Sequence, residues 1–240
     1  MDMGELILAL VPVALGVILS PLAIMALVAV LLSRNARING ITYLVGWFVG
    51  LGGLMALCLW LFPLLAVHQL GEPPVWVPIV RVILGVFLIG SAVWVYRKGR
   101  VHIARMAAAS SPREVVAASP QLPGWLHSVE SFRPGRTLLL GLGLFVLNPV
   151  DASCAILAAL DISLSSVGPT TGVWVAVVFV IIGTLPIALP VLYVVVRGAE
   201  AQPLLDRVRT WIAGNTHVLN AALLLVIGAL QLEKGIAALI

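Results

Sequence analysis

The chain has 240 residues, 61% of them hydrophobic and only 10% charged, with a mean hydropathy of +1.13 and a formal net charge of +4. A soluble domain carries roughly a quarter charged residues, so this composition excludes one. The basic residues sit beside long apolar runs, which argues against nucleic acid as a partner, and runs of about 20 residues are far too long for barrel strands, leaving an α-helical membrane bundle.

Apolar runs between turn signals predict six spans. The first covers about 5–32 and follows Asp2 and Glu5 rather than a basic stretch. It also lacks an A-x-A-like site, so a cleaved signal peptide is not expected. Ser20-Pro21 falls near its middle. A loop with Arg34 and Arg37 leads to the second span, about 39–65, where Gly46, Gly50, Gly52 and Gly53 suit close helix approach. The third span, about 77–96, holds Arg81 about 6 Å inside its outer edge. Arg81 is expected to snorkel to the outer headgroups. Turned inward instead, it would pair with Asp151 or hold an anionic headgroup.

A linker then carries Arg97, Lys98, Arg100, Arg105, Arg113, Arg133 and Arg136. Within it Trp125, Leu126, Val129 and Phe132 share one helical face, as an interfacial helix requires, whereas 107–123 is rich in Ala, Ser and Pro and is expected to be disordered. The fourth span, about 137–160, contains Asn148-Pro149 and Asp151. The fifth covers about 170–197. In 204–212, Leu204, Leu205, Val208, Trp211 and Ile212 form an apolar face with Arg207 and Arg209 off it, predicting a second interfacial helix. The sixth span covers about 217–239, with Glu233 and Lys234 at its outer edge and without an assigned role.

The loop after the first span, the linker and the junction after the fifth span together hold twelve of the 14 basic residues. Loops 66–76 and 161–169 hold none. The positive-inside rule places both termini outside. A cysteine introduced at Ala109 is therefore expected to resist impermeant thiol reagents in intact cells. Ready labelling there would invert the topology.

Comparison of the halves predicts two inverted three-helix repeats, 1–98 and 137–240, joined by the linker 99–136. Ser20-Pro21 and Asn148-Pro149 lie 128 residues apart at matching mid-span places, Gly40 and Gly172 open the next spans, and Ile89-Gly90 and Ile227-Gly228 mark the third pair. A mid-span proline removes a backbone donor and clashes with the preceding turn, so the first and fourth helices are expected to be broken. In inverted-repeat transporters such breaks meet near the midplane and form the binding site. The candidate substrate- or ion-binding residues are Ser20, Pro21, Asn148, Pro149, Asp151 and Arg81. Asp151 lies about 13 Å from the outer end of its span. An unpaired carboxylate there is costly, so it must be paired, protonated or facing water. It serves either proton or cation coupling or, more plainly, caps the broken turn. No His pair among His68, His102, His127 and His217 has metal-ligand spacing, and no catalytic constellation is evident. Cys58 and Cys154 lie in spans, so no disulfide framework is indicated. No cofactor and no enzymatic activity are expected.

The segment LPGWLHSVESFRPGRTLLLGLGLFVLNPVD, from Leu122, resembles the signature of the sulfolipid-addressing protein family, also called Sap or GAP, of the lysine-exporter superfamily. Pro123 with Trp125, the Arg133-Pro134-Gly135-Arg136 turn and Asn148-Pro149 carry the likeness. Many relatives continue Asn-Pro with Lys-Asn, where this chain has Val150-Asp151, so the substrate does not carry over with the motif. Thiol-redox carriers of the superfamily have cysteines beside both prolines, but here only Cys154 lies near one. The resemblance implies export of a small solute or movement of glycolipid to the envelope of a bacterial inner membrane. The expected function is thus a proton- or cation-coupled secondary transporter. The alternative is a non-transporting accessory protein for glycolipid export. The partners implied are membrane lipids and a small-molecule or lipid substrate. A homodimer and association with envelope-lipid export machinery stay open.

Overall fold

A computed structural model describes residues 1–31, 33, 35–65, 74–108 and 133–239. All regular structure among them is helical: α1 (Met3–Ile18), α2 (Pro21–Leu31), α3 (Ala36–Leu64), α4 (Trp76–Ala108), α5 (Pro134–Leu147), α6 (Pro149–Ser163), α7 (Pro169–Arg197) and α8 (Gln202–Ala237). A short 3-10 turn, Gly198–Ala201, joins the last two. Four helices contain uninterrupted segments long and apolar enough to cross a membrane: Ala36–Leu64, Trp76–Arg97, Pro169–Arg197 and Asn220–Ala237. The pairs α1–α2 and α5–α6 also qualify when each is taken as one bent span. The described residues thus hold four to six candidate membrane spans, consistent with a multi-pass membrane protein.

Both expected breaks are present, each immediately before a proline. The axes turn by 43° between α1 and α2 and by 67° between α5 and α6. The break is local because each proline occupies the first position of the following helix, where its missing N–H costs nothing and its fixed φ suits a helix start. A capping box formed by Asp2 and Glu5 starts α1.

Glycine determines which helices pack most closely. On α3, a Cβ at Gly46 would overlap the Leu138 carbonyl of α5, and one at Gly141 of α5 would overlap the Tyr43 carbonyl of α3. The two backbones therefore touch along parallel axes, with the Trp47 and Phe145 rings edge to face at 5.0 Å beside the crossing. Of the other glycines expected to pack on this helix, Gly50 faces Phe145 and Gly52 faces Val180, while a Cβ at Gly53 would meet no neighbouring helix within 4 Å. Helices α4 and α8 run antiparallel. A Cβ at Gly85 would lie 2.9 Å from the Gly228 carbonyl, and one at Gly235 would lie 3.0 Å from that of Pro78. A Cβ at Gly90, which the repeat comparison singled out, would meet no neighbouring helix within 4 Å. Gly85 takes the role at this crossing because it lies on the face toward α8.

Helix α6 is the centre of the bundle. Its sequence, PVDASCAILAALDIS, is rich in small residues, and nearly every position from Asp151 to Ser163 is buried. It packs against α1, α3, α4, α5 and α7. At the α1 contact a Cβ on Gly16 would lie 2.8 Å from the Cys154 Sγ.

Several boundaries differ from the sequence reading. Helix α6 continues to Ser163, so Asp161 is a buried helical residue and not part of an outer loop. Its charge does not break the helix because two cations from neighbouring helices meet it there. Helix α4 extends beyond the expected span to Ala108, and α8 begins at Gln202, so 204–212 and the sixth span form one continuous helix. Of the stretch 107–123 expected to be disordered, 107 and 108 belong to the last turn of α4 and 109–123 lie outside the described residues, as do the expected interfacial face at 125–132 and the side chains of 204–212.

The ends of the bundle can be matched to the loops. Ser166, between α6 and α7, donates from its backbone N–H and its hydroxyl to the Met1 carbonyl, both at 2.9 Å. The N-terminus and the α6–α7 turn thus share one end. At the C-terminus of α7, Gly198 turns the chain with φ 60, and a Cβ there would lie 3.1 Å from Arg37 Nη2. Two of the basic segments meet at that second place.

Candidate functional site

The two broken turns are in contact through Asp151. Asn148 sits between α5 and α6 in an extended conformation, φ −79 and ψ 107, and caps α6 by accepting the Val150 N–H at 3.2 Å. Its side-chain amide, pointing the other way, donates to Asp151 Oδ2 at 2.6 Å. From the opposite break, the Ser20 hydroxyl donates to the same oxygen at 2.8 Å. One carboxylate oxygen therefore ties the α1–α2 break to the α5–α6 break. Asp151 occupies the first turn of α6, where the helix dipole favours negative charge.

Asp151 is 1% exposed and Ser20 3% exposed. The second carboxylate oxygen, Oδ1, is buried without a hydrogen-bond partner, and no ion pair joins Asp151 to a cation among the described residues. Asp151 is not the N-cap; Asn148 fills that role. The plain capping reading accounts for Asn148 but not for a carboxylate held by the other broken helix. Tyr43 of α3, fully buried, adds a nearby anchor by donating its hydroxyl to the Ala23 carbonyl in the first turn of α2 at 2.9 Å. At the offset of 128 residues that separates Ser20-Pro21 from Asn148-Pro149, Ala23 corresponds to Asp151.

The sequence profile described as "Sap, sulfolipid-1-addressing protein" matches residues 10–237. The chain belongs to the sulfolipid-1-addressing family. That match covers both broken turns and, in whole or in large part, all eight helices among the described residues. Among curated proteins and among solved structures, nothing matches. The family and the apolar helices fit a membrane protein involved in lipid export.

Within this family member, the sequence-predicted residues divide into two places. Ser20, Asn148 and Asp151 come together at the crossing, with Pro21 and Pro149 starting the helices that leave it. Arg81 does not join them. It neither snorkels to headgroups nor reaches Asp151; it is 6% exposed and its Nη2 donates to Asp161 Oδ1 at 2.6 Å. Its Nη1 donates to Gln231 Oε1 at 2.8 Å. The reason is distance along α6. Asp161 is ten residues beyond Asp151, about 15 Å at the helical rise, and lies at the end of α6 that meets the first turns of α4, where Arg81 sits. Asp161, Gln231 and Tyr43 were not singled out from sequence. The usable signal for Asp161 was the apolar sequence on both sides of it, LAAL before and ISL after, which reads as helix and not as loop.

Proposed function

We propose that this membrane protein is a proton- or cation-coupled secondary transporter that exports a small solute or envelope-lipid component, with Asp151 as the coupling group. One observation carries the reading: a fully buried carboxylate, without a cation partner among the described residues, is hydrogen-bonded from both broken helices. Both donors use Oδ2. A proton or a substrate donor arriving at Oδ1 would neutralise or engage the carboxylate without breaking either bond. Such a group can cross between charged and neutral states inside the membrane, which a permanently paired carboxylate cannot.

The bent pairs support a plan of six crossings in two inverted halves. Shared placement of Met1 with the α6–α7 turn, and of Arg37 with Gly198, suits an even number of crossings between each pair. With the basic loops cytoplasmic, both termini lie on the outer face of the inner membrane. Reconstituted protein tests the reading. With an imposed pH gradient, adding the transported solute or lipid to proteoliposomes should produce substrate-dependent proton movement seen by an entrapped pH dye. Envelope-lipid export in cells that depends on the protein, without any such flux, would instead establish the accessory role.

A further inference from the structure

A second buried charge cluster lies at the far end of α6. Asp161 is fully buried, with Arg81 of α4 on Oδ1. On the other oxygen, Oδ2, Lys234 of α8 stands at 3.6 Å, an ion-pair separation too long for a hydrogen bond. Oδ2 accordingly has no hydrogen-bond partner. One carboxylate is shared by two cations. Arg81 alone neutralises it, so Lys234 brings an excess positive charge. The Lys234 side chain is 35% exposed, and the only contact shown for its ammonium among the described residues is this loose one. Glu233, next on the helix, lies on the exposed face and pairs with neither cation among the described residues. Arg81, Asp161 and Gln231 are buried while Lys234 is the partly exposed member, so an anion approaching from the Lys234 side meets a net positive charge backed by buried groups.

We propose that Lys234 and Arg81, steadied by Gln231 and Asp161, form a binding site for a tetrahedral oxyanion, a sulfate or phosphate group, either free or carried on a lipid headgroup. Arg81 uses two of its five N–H donors on Gln231 and Asp161, and Lys234 has three donors to offer. Asp161 holds the two cations in place and competes with the ligand for them, which keeps binding reversible. The cluster shares its end of α6 with Ser166 and hence with Met1, the predicted outer surface where headgroups lie. It is about 15 Å along α6 from Asp151 and stands whether or not the chain transports.

The test uses the purified full chain. Calorimetric titration with sulfate and with inorganic phosphate, against chloride at matched ionic strength, reads the free ion. Native mass spectrometry after release from nanodiscs of phosphatidylglycerol or of phosphatidylcholine reads the headgroup. Saturable binding of one oxyanion, or selective retention of one phosphatidylglycerol, is expected, and whichever arm responds identifies the source. Lys234→Gln should weaken that binding at least about tenfold, the scale of one charged hydrogen bond. Asp161→Asn should tighten it by removing the competitor, while Asp151→Asn should leave it unchanged. No saturable binding in either arm, or full binding by Lys234→Gln, overturns the proposal and leaves Lys234 as a snorkelling side chain. If Asp161→Asn does not fold, Lys234→Gln still decides, because that side chain is partly exposed and its loss leaves the Arg81 pair intact.

Discussion

Asp151→Asn is expected to reduce proton-coupled flux to the background of protein-free liposomes while the protein still inserts and folds. The substitution keeps the side-chain shape and leaves an oxygen to accept from Ser20 and Asn148. The amide nitrogen then occupies the place of Oδ1, which has no partner. An unsatisfied buried donor costs about 1–3 kcal/mol, so unfolding should begin at modestly lower temperature without loss of the fold. What the variant cannot do is exchange a proton. Any remaining substrate movement should be independent of the pH gradient. Full coupled flux with unchanged pH dependence would make Asp151 a structural link between the two breaks and nothing more. Ser20→Ala provides the complementary measurement, because it removes the cross-helix bond while preserving the charge. It should alter the pH dependence without abolishing flux.

Arg81→Met is expected to lower the stability of the bundle by several kcal/mol. Removing one partner of a buried ion pair costs about 3–5 kcal/mol, because the other charge is left uncompensated. Here the lower part of that range applies, since Lys234 remains 3.6 Å from Asp161. The double variant Arg81→Met, Asp161→Leu should recover most of the loss, as apolar replacement of a whole buried pair is commonly neutral. Lys234, already 35% exposed, can extend to the headgroup region once its partner is gone. Tryptophan fluorescence during thermal unfolding in detergent would follow both variants. A single variant as stable as the parent would mean that Arg81 had relaxed to the surface and that the pair carries little weight.

The sequence alone determined the membrane class, the approximate positions of the helices and the two proline breaks. Each is written locally: long apolar runs force internally bonded helices in lipid, and a mid-span proline removes a donor wherever the chain goes next. Asp151 was legible for the same reason, since a carboxylate two residues after Asn-Pro in an apolar run is anomalous without reference to any neighbour. The family, too, was readable from Arg133-Pro134-Gly135-Arg136 and Asn148-Pro149.

Only the tertiary structure decided who meets whom. Gly85 and Gly90 are equally glycine in the sequence, yet only Gly85 faces the α8 backbone, because a helix presents just part of its circumference to one neighbour. The partner of Arg81 was chosen between two carboxylates ten residues apart on α6, a choice that depends on how α4 is placed against α6 and on where along α6 it makes contact. Asp161 itself reads as a loop residue when its charge is counted alone. It becomes a helical residue once Arg81 and Lys234, 80 and 73 residues away in the chain, bring the compensating charge. Pairing across such separations is set by packing, and local pattern carries no record of it.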